Sequence, residues 1–448
     1  MSRAFLAGLV LLLAGCASTR PAPPEPPPPT PVAVPEEEPP PPIDVAPPPP
    51  EPTPSAPNGT VASQSRYPVP RVWEWRLTNG ARVVFRPLDS VQGRVQLFAF
   101  APGGAGLAPD SVALSAAEAA EVVAASLRAP EGVSLMPRLT ETEARLIGDA
   151  PADQLVNLLG AARDLFRAPP ADADAYRRAR RDALAGGLVT ADVLFPLGGP
   201  RHAVRTPDDV GEVDVAVARS FFREVYDPGR FTFLLVGDTT PEAVEAAAGV
   251  TLGRLRSAAT PSEGEVTAPE PPPASTIRLR SAESGTRVTV VFAGPRTLRN
   301  EDPAALYVLA SLLEHRLEGA AREVTGEALA DRARGYYTLQ LTLSDPSASP
   351  EDLRVRAFDA VRALAARGPS ATEITAARGE AQRAARQALE TSSGLLAALA
   401  DVYRRNGDPR EALEGPRRVA AVSAERVRAL AREVLDVGRA YVVIEEGP

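Results

Sequence analysis

The side chains that could carry covalent, acid–base or metal chemistry are few. Among 448 residues there is one Cys, Cys16, and two His, His202 and His315; all 49 basic residues are Arg and none is Lys. Without Lys there is no P-loop lysine, no Schiff base and no lysine general base. One Cys excludes an internal disulfide and a Cys-rich zinc or iron–sulfur site. The two His are 113 positions apart, so they cannot form the local pair of a zinc-binding helix. The nearest approach to one is Ser311-Leu312-Leu313-Glu314-His315, with Glu390 downstream. One imidazole, one carboxylate and a weak hydroxyl fall short of the three good ligands of a catalytic zinc. His202, in Pro200-Arg201-His202, reads as a loop or capping residue with no ligand partner nearby.

The elements that would have to position such residues begin after a processed leader. Residues 1–15 combine Arg3 with an apolar run too short to span a bilayer comfortably, which reads as a signal peptide. It ends in Leu13-Ala14-Gly15-Cys16, similar to the lipobox of bacterial lipoproteins, so Cys16 is the expected lipidation site. With Ala17 next rather than Asp, the resemblance implies an outer-membrane anchor facing the periplasm. Residues 16–66 are read as the lipidated N-terminus and a tether, because 20 of the 48 Pro fall within 21–57. Such a run stays in extended polyproline II and, at ~3.1 Å per residue, reaches on the order of 100 Å. A second Pro cluster at 259–275 reads as a linker between domains at 67–258 and 276–448. The net charge of −8 argues against a nucleic-acid partner.

The two ordered parts repeat each other. Arg223-Glu224-Val225-Tyr226-Asp227-Pro228-Gly229-Arg230 returns 209 residues later as Arg432-Glu433-Val434-Leu435-Asp436-Val437-Gly438-Arg439. A helical pattern precedes each copy and a β-rich run follows, at 231–236 and 440–444. Strands at 95–100 and 288–292 correspond, as do helix starts at Pro151-Ala152-Asp153 and Pro350-Glu351-Asp352. The order in each half is strand, long helix, strand, two or three helices, strand. This predicts an α+β fold of two repeated mixed-sheet sandwich domains with helices on one face.

Several segments, among them Trp75-Arg76-Leu77-Thr78-Asn79-Gly80 and Arg322-Glu323-x-x-Gly326, resemble the pitrilysin/insulinase zinc metallopeptidases. Trp75-Arg76-Leu77-Thr78-Asn79-Gly80-Ala81-Arg82-Val83-Val84 is similar to that family's opening hairpin, and Asn79-Gly80 is independently a strong two-residue turn signal. Phe98-Ala99-Phe100-Ala101-Pro102-Gly103-Gly104, the 231–238 strand, Glu301-Asp302-Pro303 and Arg322-Glu323-x-x-Gly326 match in the same order. The resemblance implies a pitrilysin/mitochondrial processing peptidase-like fold over residues 68–448.

Active members carry His-x-x-Glu-His on the first long helix. The corresponding stretch, residues 115–127, has no His; Glu118 and Glu121 remain and read as surface charges. The resemblance therefore implies a non-catalytic half or inactive subunit, without catalytic or metal-binding residues of its own. Its expected partners are a zinc-bearing peptidase subunit of the same fold, which would supply the cofactor, and a peptide or unfolded protein. Arg322 fits the family's peptide-contacting Arg, whereas the Tyr seven residues on is Leu329 here. The alternatives are a stand-alone periplasmic peptide-binding or scaffold lipoprotein and an active zinc metallopeptidase.

Overall fold

The computed structural model describes residues 60–140, 143–167, 172–185, 213–257, 276–280, 285–293, 302–331, 336–404 and 407–447. The chain divides into Met1–Thr53 and Pro54–Pro448. Cys16, the leader, most of the tether, His202 and the 259–275 linker lie outside the described residues.

Seven strands form the first sheet: β1 (Val61–Tyr67), β2 (Val72–Leu77), β3 (Arg82–Pro87), β4 (Arg94–Pro102), β5 (Ser134–Leu139), β6 (Glu143–Pro151) and β7 (Thr232–Gly237). Their spatial order is β1-β2-β3-β7-β4-β6-β5. The second sheet holds β8 (Thr276–Arg280), β9 (Thr286–Ala293), β10 (Glu323–Asp331), β11 (Tyr336–Ser344) and β12 (Tyr441–Glu446), ordered β10-β11-β9-β12-β8. Read from its far edge, the second sheet repeats β3-β7-β4-β6-β5. The single parallel pair also recurs in the equivalent place, β3 with β7 and β8 with β12. The internal repeat seen in the sequence is thus a repeat of topology, with β1 and β2 added in the first half. The one strand expected after each long helix is an antiparallel hairpin instead, β5–β6 and β10–β11.

The repeated Asp-x-Gly-Arg segments show why so short a motif survives. Asp227 accepts the Gly229 N–H at 2.8 Å, and Asp436 accepts the Gly438 N–H at 2.9 Å. Each holds a 3-10 turn between a helix and the strand that follows. The turn after β2 uses Gly80 at φ 92°, and the Asn79 amide donates to the Leu252 and Leu255 carbonyls at 2.9 and 3.0 Å. That turn residue therefore also ties down the end of the first half.

Helices α1 (Ala113–Ala117), α2 (Ala119–Ala124), α3 (Leu155–Phe166), α4 (Ala173–Ala185), α5 (Val215–Val225) and α6 (Pro241–Val250) belong to the first half. In the second lie α7 (Asp302–Arg316), α8 (Pro350–Arg367), α9 (Ala371–Ala388), α10 (Ser392–Arg404), α11 (Gly415–Ala420) and α12 (Ala424–Val434). Strand alternation sends Val95, Leu97, Ala99, Phe233 and Leu235 into one core with α2, α3, α5 and α6. The second half builds a separate core from β9, β11, α7, α8, α9 and α12.

One helix crosses between the halves. The opposite face of the first sheet, carrying Val72, Val84, Phe100, Leu234 and Val236, is covered by Leu395, Leu396, Leu399 and Val402 of α10. Polar contacts fix its C-terminal end. The Tyr403 hydroxyl donates to Glu74 at 3.0 Å, and Arg404 grips Glu143 with two N–H groups at 2.7 and 3.1 Å. The Arg404 guanidinium also lies 5.6 and 5.0 Å from the Phe98 and Phe100 ring centres. Burial and the adjacent Glu74 hold the Tyr403 hydroxyl protonated, far above the usual phenol range.

Candidate functional site

The helix expected at 115–127 is broken in two. Glu118, at φ −92° and ψ 4°, separates α1 from α2. Its side chain is not a solvated surface charge, which corrects the sequence reading: it is 7% exposed and lies 3.0 Å from the Arg180 guanidinium of α4. The same guanidinium is 3.4 Å from Glu121. The break brings Glu118 to the side where α4 packs against α2. Ser115, one turn earlier, accepts the Asp214 N–H at 2.9 Å and so ties α1 to the start of α5. Arg180 escaped the sequence reading because α4 looks like one more charged helix. Its only trace there is the Arg run Arg177-Arg178-Ala179-Arg180-Arg181.

Ser115, Glu118 and Ala119 have the spacing of His-x-x-Glu-His, with hydroxyl and methyl groups where imidazoles would stand. A divalent zinc needs three good N, S or O donors. Here Ser115 is engaged with backbone, Ala119 has no donor, and Glu118 faces a fixed cation. The residues present do not fit zinc, and no step through a metal is derived. Among the described residues no group of three or more His, Cys, Asp or Glu is placed to hold a metal ion.

The equivalent helix of the second half is α7, between β9 and β10, and there Ser311, Glu314 and His315 take the corresponding spacing. The Ser311 hydroxyl donates to Glu380 at 3.2 Å, and His315 Nδ1 lies 3.5 Å from Glu318 on the exposed side. Partial burial, with Glu380 and Glu327 near, raises the Glu314 carboxyl above the ordinary range, although the Gly326 N–H on β10 acts to lower it.

Arg322 immediately precedes β10, the outermost strand of its sheet, and its side chain is exposed. Its backbone N–H contributes to holding the Asp345 carboxyl below the usual range, behind the larger effect of Ser347. Arg322 therefore stands at the start of an edge strand. The described positions do not bring Arg322 and Glu118 into one site.

A shallow concavity in the second half, about 580 Å³, is lined by Arg316, Arg367, Pro369, Ser370 and Glu373 among others. Arg316 donates to Glu373 at 2.8 Å, and that contact with the Ser370 N–H holds the Glu373 carboxyl at about 2. Glu373 and Ser370 also close a capping box on α9. These charges are spent on joining α7 to α9.

Residues 212–380 match the family model described as the peptidase M16 inactive domain. A search of curated proteins finds no match. Among solved structures, the periplasmic protease PqqL from Escherichia coli superposes with a TM-score of 0.63 at 15% identity, covering 88% of this chain and 47% of that one. A peptidase M16 inactive domain from Pseudomonas fluorescens gives 0.62 at 17% identity, covering 84% of this chain and 98% of that one. Pitrilysin gives 0.61 at 14% identity, with 84% and 45% covered. The chain thus spans about half the length of PqqL and pitrilysin and nearly the whole of the Pseudomonas domain. Its fold is that of the pitrilysin-type M16 peptidases, the family its motifs resemble, and within it residues 212–380 match the inactive domain.

Proposed function

We propose that the chain is a non-catalytic peptidase-family subunit that holds an extended peptide for a zinc-bearing partner of the same fold. The observation that carries this reading is the Arg180 guanidinium set between Glu118 and Glu121, which commits the first long helix to a structural ion pair. The inactive-domain match supports it. So do β5 and β10, each an outermost strand of its sheet among the described residues, with β1 and β8 at the opposite edges. An outermost strand offers alternate backbone N–H and C=O groups to an incoming chain, the basis of peptide capture by strand addition. Pro137 removes one N–H from β5, so β10, nine residues without Pro, is the better template. Arg322, at its start, would hold a substrate carbonyl or carboxylate by paired N–H donation.

In this reading Cys16 carries the lipid that anchors the chain to the outer membrane on its periplasmic side, and the Pro-rich tether spaces the folded part from it. Mixing the purified chain with a zinc-bearing homologue from the same cell should give a complex by light scattering and raise peptide hydrolysis. Absence of both refutes the subunit role. Cys16→Ala should release the protein from the membrane fraction; unchanged partitioning refutes the anchor. A stand-alone peptide-binding lipoprotein is the second reading. It is favoured by a single observation, that among the described residues one chain supplies edge strands in both of its sheets. Pull-down from solubilised envelope separates the two, since only the subunit role demands a same-fold partner with zinc ligands.

A further inference from the structure

Helix α10 covers one part of the outer face of the first sheet, and the rest of that face is built to a pattern of its own. Alternation sends Leu97, Ala99, Ala144 and Leu146 into the first core. It turns Phe98, Arg145 and Ile147 the other way, to the face that carries α10. On β5, Leu135 and Leu139 pack on the core, so Met136 and Arg138 share the outer face. Register sets Phe98, Ile147 and Met136 side by side across β4, β6 and β5. Ile147, in the middle of this row, is 42% exposed, and neither it nor Met136 joins an apolar cluster among the described residues. Beneath, the Tyr226 hydroxyl lies 2.7 and 3.1 Å from the Arg138 and Arg145 carbonyl oxygens, a shared donor that ties β5 to β6.

The neighbouring row is charged. Arg145 and Arg138 stand opposite one another on β6 and β5. Arg145 lies 2.8 Å from Glu143, but the same carboxylate holds Arg404 at 2.7 Å. Arg138 has no ion-pair partner among the described residues, so this end of the strip carries three described guanidinia to one described carboxylate. At the other end Arg94 and Asp149 pair one to one. The strip is therefore apolar in the middle, cationic at one end and neutral at the other.

Helix α10 shows which shape lies well on this sheet. It runs along the strands, from the Glu390 carbonyl beside Ser90 at one end to Arg404 on Glu143 at the other, over β7 and beside β4. Packed helices sit ~8–10 Å apart, which is two strand spacings of ~4.8 Å. A helix laid beside α10 would run over β6, with Ile147 beneath it and Phe98 and Met136 on its flanks. Arg145 is two strand residues from Ile147, ~6.6 Å, close to the ~6 Å between helix residues four apart.

We propose that the β4-β6-β5 part of this face docks an amphipathic helix of another protein. The apolar side of that helix covers Phe98, Ile147 and Met136, and a carboxylate one turn along it pairs with Arg138 and Arg145. The surface continues the one that α10 already occupies, with the Arg404 guanidinium over Phe98 and Phe100 as the border between the two. It goes beyond the peptide-holding reading, which uses strand edges and not this face.

The test uses the full chain and a lactam-stapled, fluorescein-labelled helical peptide with Leu at one stripe and Glu four residues from the central Leu. A matched peptide carries Arg in place of Glu, and a third carries a central Pro that breaks the helix. Fluorescence anisotropy should show saturable binding of the Glu peptide, about tenfold tighter than of the Arg peptide. Arg138→Glu should reverse that preference. Ile147→Thr, which keeps a β-branched residue at an exposed position, should weaken binding roughly tenfold with the urea midpoint unchanged. Equal affinity for the Glu and Arg peptides, or for Ile147→Thr and wild type, overturns the proposal. Equal binding of the Pro peptide overturns the helical occupant in favour of an extended one. Self-association by light scattering that Ile147→Thr abolishes assigns the face to a second copy of this chain instead. Absence of binding to any of the peptides overturns the docking surface and leaves peptide holding at the sheet edges untouched.

Discussion

The ion pair at the first long helix makes a quantitative demand. Arg180→Met removes the guanidinium from a Glu118 carboxylate that is 7% exposed, while keeping most of the apolar stem that packs between α2 and α4. Losing one partner of a buried charge costs up to ~3–5 kcal/mol; the lower end applies because Arg180 is 14% exposed and water can follow the truncation. Glu118→Gln in the same background removes the buried charge and should recover roughly 2 kcal/mol of the loss. The protein's two Trp, Trp73 and Trp75, both sit on β2 of the first sheet, so urea unfolding followed by Trp fluorescence reports the half concerned. The midpoint should fall with the slope against urea unchanged, since no surface is added to the unfolded chain. An Arg180→Met protein within ~0.5 kcal/mol of wild type would refute the argument, showing that the pair neither confines Glu118 nor holds α4 against α2.

Three further outcomes are expected. Leu399→Ala on α10 should cost ~2–5 kcal/mol, because Leu399 is fully buried against the first sheet; denaturant midpoints check it. Gly229→Ala should destabilise by a few kcal/mol or abolish soluble expression, since its Cβ would meet the Asn79 carbonyl oxygen at 2.6 Å and Ser257 Oγ at 2.4 Å, whereas Gly160→Ala, with open space around it, should be tolerated. Arg316→Ala releases Glu373 from its depressed value of about 2. A carboxyl lowered on folding adds stability above its unfolded pKa and loses it as pH falls through the folded one. The gap between wild type and variant should therefore be constant near neutrality and close between about pH 4.5 and 2. Solvent screening keeps this gap to about 1 kcal/mol or less, and a gap that persists at pH 2 would assign the effect to packing.

Much of the fold was readable because its signals are local. Asp227 and Asp436 act on N–H groups two residues away, so both turns and the strands after them stand out in sequence. Asn79-Gly80 announces its hairpin for the same reason. The candidate site was read from what is missing, the imidazoles, and that reading could not reach what fills their place. Whether Glu118 is solvated or buried depends on Arg180, on a helix whose own pattern is that of a surface. The close approach of α7 to β10, where a Cβ on Gly326 would meet the Ala310 carbonyl oxygen at 2.5 Å, depends on packing beyond a turn, and β10 gives no sign in its residues of standing at a sheet edge. Helix α10 shows the same limit, since its apolar face says that it is buried and not which sheet buries it.

That last helix bears on how the protein can be cut. A chain severed between the two sheets would leave the first with Val72, Val84, Phe100, Leu234 and Val236 bare, a broad apolar face on a strand set that has lost its cover. The second piece would carry a loose α10 with Leu395 and Leu399 in water. The two fragments are complementary rather than autonomous: each should aggregate when produced alone, and produced together they should reassemble, with α10 acting as the intramolecular ligand of the other piece.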